Sequence, residues 1–208
     1  MSRARALSPA IPSVLACIGL ASCGASPATR YYTLQSVMPA GAAPSLPGSP
    51  AVKPITVRLE PVVIPPELDR LELVSRLGRY RVRISDTDRW AAPLDDQIRR
   101  VLSEDLAERL PPHWVADPNE PTGNDPRRLL SIAIADFYAD EVCRTTLRAD
   151  WTLRGPSGLS ERGTEQVQQP GVAPCDGAVP AGMSSALGQL ADRLAGVILA
   201  PPSGASVP

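Results

Sequence analysis

Hydrophobic positions recur along this chain with two different periods, and the period sorts the chain into elements. Leu94, Ile98, Val101, Leu102, Leu106 and Leu110 fall at helical spacing and form one apolar stripe. Pro93 opens that helix in its first turn, where a missing N–H has no intrahelical partner to lose. Asp95 and Asp96 complement the positive end of the helix dipole, and Pro111-Pro112 ends the helix. A second stripe, Leu187, Leu190, Leu194, Val197 and Ile198, predicts a final helix stopped by Pro201-Pro202. Gln169 to Gly182, which includes Cys175, reads as the loop before it.

Strict alternation marks the strands. Cys143, Thr145, Leu147, Ala149, Trp151 and Leu153 share one face, and Arg144, Thr146, Arg148, Asp150, Thr152 and Arg154 share the other. That is the pattern of a half-buried antiparallel strand. Leu129 to Tyr138 precedes it as a strand. Gly155-Pro156-Ser157-Gly158 turns the chain, and Leu159 to Gln168 returns it. Ile55, Val57 and Leu59 alternate with Thr56, Arg58 and Glu60 as another strand. Leu71 to Arg76 and Tyr80 to Ile84 flank Gly78 as a hairpin, whose second arm alternates Tyr80, Val82 and Ile84 with Arg81 and Arg83. Arg30 to Leu34 is β-prone, and His113-Trp114-Val115 could form a short strand. Residues 36–54 are rich in Pro, Ala, Gly and Ser and read as a mobile linker or long loop. Asp117 to Pro126 reads as a polar loop. The expected architecture is α/β: a single domain over 30–200, with a mixed, mostly antiparallel sheet of at least five strands, two principal amphipathic helices and a disordered tail at 201–208.

The N-terminus departs from this pattern. Arg3 and Arg5 precede a run from Ala6 to Ala21 without charge. A short basic region before a short apolar one is the layout of an export signal, and the run is too short to span a bilayer comfortably. It closes on Leu20-Ala21-Ser22-Cys23, which has the form of a bacterial lipobox. Residues 1–22 therefore read as a signal peptide, Cys23 as the acylated residue and 23–29 as a tether. Val14-Leu15-Ala16-Cys17 is a weaker competitor, because it leaves too short an apolar region. Gly24 after the cysteine favours the outer over the inner membrane by the sorting rule of enteric bacteria.

Composition then excludes more than it proposes. Loss of Arg3 and Arg5 leaves 19 basic against 22 acidic residues, a formal charge of 19 − 22 = −3. Such a balance does not suit a general nucleic-acid binder, and Phe137 is the sole phenylalanine, so stacking platforms are scarce. In an oxidising compartment Cys143 and Cys175 could pair as a disulfide, or stay as two thiols with Cys143 buried. They lack the second ligand of a zinc site. His113 is the only histidine and reads as structural. No nucleophile elbow, P-loop, zinc-protease or dinucleotide-binding motif occurs. Asp86 and Asp88 have the spacing of a calcium-loop start without its later acids, and read as a loop that caps or ion-pairs. Arg76, Arg79, Arg81 and Arg83 gather positive charge on one hairpin, either as a solvated face or as a contact for lipid phosphates or an acidic partner. No enzyme, metal or cofactor is expected.

Three stretches together resemble one family. They are Cys23 followed by Thr29-Arg30-Tyr31-Tyr32-Thr33-Leu34, then Pro66 to Arg76 with Asp69-Arg70 inside it, then Asp88-Arg89-Trp90-Ala91-Ala92-Pro93-Leu94. Their order and spacing resemble the ABC-type transport auxiliary lipoproteins, the PqiC/YmbA family. The resemblance implies a compact α/β domain on the periplasmic face of the outer membrane. It also implies a non-enzymatic role beside an MCE-domain protein in lipid transport, and a ring-like homo-oligomer. Asp69, Arg70, Asp88, Arg89 and Trp90 would then either lock the domain or form its docking surface. The rival reading is a stand-alone envelope or cell-wall assembly scaffold. Neighbouring genes for an MCE protein, a permease and an ATPase would separate the two.

Overall fold

The computed structural model describes residues 27–39, 56–117, 127–171, 175 and 177–200. The expected signal peptide, Cys17, Cys23, positions 40–54 of the proline-rich stretch, positions 118–126 and the 201–208 tail lie outside the described residues. The elements in chain order are β1 (Arg30–Tyr32), β2 (Thr56–Leu59), β3 (Glu72–Leu77), β4 (Arg81–Trp90), α1 (Leu94–Arg109), β5 (Arg127–Ala139), β6 (Thr145–Arg154), β7 (Ser160–Gln169) and α2 (Ala178–Leu199). Seven strands form one sheet in the order β1-β4-β3-β5-β6-β7, with β2 also pairing β5. The protein is thus a mixed α/β domain, as the alternation and the stripes require. Antiparallel pairing dominates through β5, β6 and β7, while β1–β4, β2–β5 and β3–β5 are parallel. β2 and then Val63 pair the first half of β5, and β3 reaches the same edge at Ala139.

Both helices lie on one side of the sheet. The whole α1 stripe is buried, as are Leu187, Leu190, Leu194 and Ile198 of α2. They close on the inward residues of β6 and on Leu130, Ile132 and Phe137 of β5, giving one core. Among the described residues no helix covers the other side of the sheet, and Arg148, Asp150 and Arg154 are exposed there.

Four expectations change. The α2 helix begins at Ala178, inside the stretch that reads as loop, because Pro180 sits in its first turn where its missing N–H breaks no bond. Ser85 to Asp88 is not a loop; β4 runs through it to Trp90 with a register shift opposite Glu72 and Val74. Of His113-Trp114-Val115 only Val115 bridges, to Val57, and His113 occupies an exposed turn with φ 67°. The apolar arm of the hairpin faces away from the core: Tyr80, Val82 and Ile84 are 89, 52 and 44 % exposed.

Candidate functional site

The first and third of the three stretches meet in space. β1 and the end of β4 run side by side, with Arg30 opposite Asp88, Tyr31 opposite Arg89 and Tyr32 opposite Trp90. Residues 58 apart in sequence are therefore neighbours, and the Arg30 Nε donates to Asp88 Oδ1 at 2.7 Å. Ser85 hydroxyl donates to Asp88 Oδ2 at 2.9 Å and accepts from the Asp88 and Thr87 amides. Burial pushes the Asp88 carboxyl up. Hydrogen bonds from Arg30 and Ser85, the Arg30 charge and a bond from Tyr32 outweigh this and hold it below the usual 3.8. Trp90 is buried in the core; its amide donates to Leu71 carbonyl at 2.6 Å, and the Ala91 amide donates to Tyr32 carbonyl at 2.8 Å. Arg89 reaches Glu72 at 3.4 Å. Asp88, Arg89 and Trp90 thus clasp β1, β4 and the start of β3 together. Asp69 and Arg70 do not join them. They sit exposed in the turn after Pro66, shaped by the Asp69 and Arg70 amides donating to Pro66 and Leu68 carbonyls.

A second arrangement continues from the clasp. After β1 the chain does not leave as a linker; residues 33–37 cross the helix pair, and helix side chains hold their backbone. The Leu34 amide donates to Gln97 Oε1 at 2.9 Å, and Arg100 donates to Leu34 carbonyl at 2.7 Å. The Gln35 amide donates to Ser184 Oγ at 3.1 Å. The Val37 amide and the Ser36 hydroxyl both donate to Asp105 Oδ1 at 2.8 Å, and Arg109 donates to Val37 carbonyl at 3.1 Å. Arg109 Nε also reaches Asp192 of α2 at 2.5 Å. Burial raises the Asp105 carboxyl above its usual value, against the Ser36 and Val37 hydrogen bonds and the Arg109 charge; its Oδ2 accepts no hydrogen bond. The signal for this strap was present in the sequence. Asp105 follows Val101 by four residues and Arg109 follows Leu102 by seven, so both stand on the apolar stripe of α1. A charge on such a stripe implies a buried partner.

The remaining positions are scattered. Cys143 and Cys175 are joined as a disulfide with Cα atoms 5.4 Å apart, at the end of the sheet beside the start of α2. Arg76 pairs with Asp136 at 3.4 Å and lies 3.6 Å from the Tyr138 ring centroid, while Arg148 takes the other Asp136 oxygen at 3.1 Å. Asp86 is exposed on β4. An open cleft of about 400 Å³ lies on the uncovered sheet face between Glu60, Val63, Ser131 and Asp150. Among the described residues no group of three or more His, Cys, Asp or Glu side chains converges. No described helix is long and apolar enough to cross a membrane.

A family model described as ABC-type transport auxiliary lipoprotein component matches residues 32–195. The intermembrane transport lipoprotein PqiC of Escherichia coli K12 is 26% identical over 104 residues, and that of Shigella flexneri gives the same figures. The match spans 50% of this chain and 54% of those relatives, so about half of their length is covered. A crystal structure of an uncharacterized protein superposes with TM-score 0.69 at 20% identity, over 83% of this chain and 99% of that one. A crystal structure of a Xanthomonas campestris protein superposes with TM-score 0.59 at 16% identity, over 80% and 93%. The two structures share the fold.

Proposed function

Because the chain belongs to the family of ABC-type transport auxiliary lipoprotein components, we propose that it docks an envelope-spanning MCE assembly at the outer membrane and positions the exit for lipid there. Acylated Cys23 would hold the domain to the periplasmic face of that membrane. The reading is supported above all by how the anchor-side chain enters the fold. β1 is paired into the sheet through Asp88 to Trp90, and residues 34–37 are then bound by both helices. A lipid on Cys23 would therefore fix the orientation of the whole domain through a short tether, which a docking subunit needs. The work of such a subunit is placement, not bond-making, and a ring of copies would present several docking surfaces at once. The exposed Asp69-Arg70 turn joins neither the clasp nor the strap and is open to a partner.

The test is co-purification. The acylated protein, extracted in mild detergent, should retain the MCE-domain protein of its own transport system. Charge reversal at Asp69 and Arg70 should weaken that retention while leaving the thermal unfolding temperature unchanged. Failure to retain any MCE protein under mild conditions would remove the docking reading. Separately, Cys23→Ala should abolish the acyl mass on the N-terminal peptide and impair transport. An acylated Cys17 in that variant would move the anchor.

A further inference from the structure

The β3–β4 hairpin carries a pattern that neither the clasp nor the strap uses. Its tip and outer arm place Tyr80, Val82 and Ile84 in solvent, on the face shared with Arg76. Arg81 and Arg83 lie on the opposite face, across from Leu77 and Ser75. Arg76 is engaged by Asp136 and Tyr138, but Arg79, Arg81 and Arg83 form no ion pair among the described residues. Arg79 instead lies 5.7 Å from the Tyr80 ring centroid. The outcome is an end-on apolar tip flanked by unneutralised cations, on a protein whose mature net charge is negative. The chemistry that complements it is an apolar layer edged with anions.

Direction in the fold says where that layer would be. β1 runs parallel to β4 with Arg30 opposite Asp88, so the chain preceding Arg30 enters from the side of the hairpin turn. The seven residues from Cys23 to Arg30 can reach about 25 Å when extended. The stretch of β4 from Asp88 back to Tyr80 covers a similar length, about 25 Å at the rise of a strand. Cys23 can therefore lie level with Tyr80. We propose that the β3–β4 hairpin is a second membrane contact: Tyr80 and Val82 enter the headgroup boundary of the leaflet that receives the Cys23 lipid, and Arg79, Arg81 and Arg83 bind the phosphates of anionic phospholipid. Tyr suits that boundary, with an apolar ring and a polar tip. This rests on the Cys23 anchor for its orientation, though not for its chemistry.

Amide exchange in the full protein tests it, compared between detergent micelles, phosphatidylcholine vesicles and phosphatidylglycerol-rich vesicles. Exchange over Arg79–Ile84 should slow by about fivefold or more in the phosphatidylglycerol vesicles, the factor that even one cation near an anionic surface supplies. R79E/R81E/R83E should restore the micelle rate, and Tyr80→Ser should weaken the protection. Exchange in β5 and β6 should stay unchanged in both variants, reporting an intact fold. Equal exchange in all three surroundings would overturn the proposal, as would equal protection in both kinds of vesicle. Protection in micelles that grows with protein concentration would assign the hairpin to a second copy instead. The mass of the N-terminal peptide reads acylation independently. A non-acylated chain whose hairpin is still protected by added phosphatidylglycerol vesicles would support the hairpin contact while refuting the anchor.

Discussion

Two aspartates carry opposite pH dependences, and both are set by what surrounds them. Asp105 has its carboxyl raised by burial, so protonation is easier in the folded than in the unfolded chain. Its contribution is fully present below the ordinary value of 3.8 and is lost as pH rises through its folded value. Asp88 is held below 3.8, so its contribution is present above that value and lost as pH falls further. Asp105→Asn should flatten the first dependence in urea unfolding measured from about pH 4 upward. Asp88→Asn should flatten the second, below about pH 4. Asp105→Ala removes the acceptor for Ser36 and Val37 and leaves Arg109 only Asp192 as carboxylate partner, so it should cost about 1–3 kcal/mol at about pH 4 and less at neutral pH, where burial opposes the ionised carboxylate. A loss under about 0.5 kcal/mol would mean that the Asp105 contacts contribute nothing, since the bonds from Gln97, Arg100 and Ser184 remain in that variant. The Asp88 clasp could be found only from the combination of two short motifs, because nothing local says that Arg30 lies beside it. Trp90 reads in sequence as either locking the domain or forming a docking surface, and it is core.

Elements followed the hydrophobic period wherever packing matched propensity. The α1 stripe and the alternation of β6 are both buried as their spacing demands. Where they departed, a specific residue explains it. Pro180 disguised the first turn of α2, and the polar run Ser85-Asp86-Thr87-Asp88 disguised the middle of β4, which bulges there. Glycines on α2 give a sharper test of packing than of propensity. A Cβ at Gly182 would stand 2.6 Å from Thr145 Oγ1, on a buried β-branched side chain. A Cβ at Gly196 would meet nothing within 4 Å. Both substitutions to alanine gain about 1 kcal/mol of helix propensity. Gly196→Ala should therefore stabilise by about 0.5–1 kcal/mol. Gly182→Ala should destabilise by about 1–2 kcal/mol, because the clash exceeds that gain. Thermal melts of the pair read the sign directly; a stabilising Gly182→Ala would show that α2 can shift away from β6.

At the scale of the whole molecule, the β1 side of the domain is tied by two different means. The chain around β1 depends on long-range hydrogen bonds through the clasp and the strap. Close beside it, where β6 begins and α2 follows β7, the Cys143–Cys175 bond spans a sequence separation of 32, and Cys175 lines a cavity with Tyr32 and Asp88. Cys143 is buried with φ 62°, and the backbone there packs so closely on Gly171 that a Cβ at 171 would overlap the Val142 carbonyl. Export is what would let this bond form, because a reducing cytosol keeps such thiols apart. A loop of this size should lose about 3–4 kcal/mol of stability when the bond is absent. The chain produced with its signal and extracted from the cell envelope in mild detergent should resist alkylation at both thiols. The same chain made in the cytosol without residues 1–22 should alkylate at Cys175 and unfold at lower urea, by about the same 3–4 kcal/mol. Addition of reductant to the exported protein should bring the two curves together. If they already coincide, the bond constrains little, and the packing around Gly171 alone holds that end of the sheet.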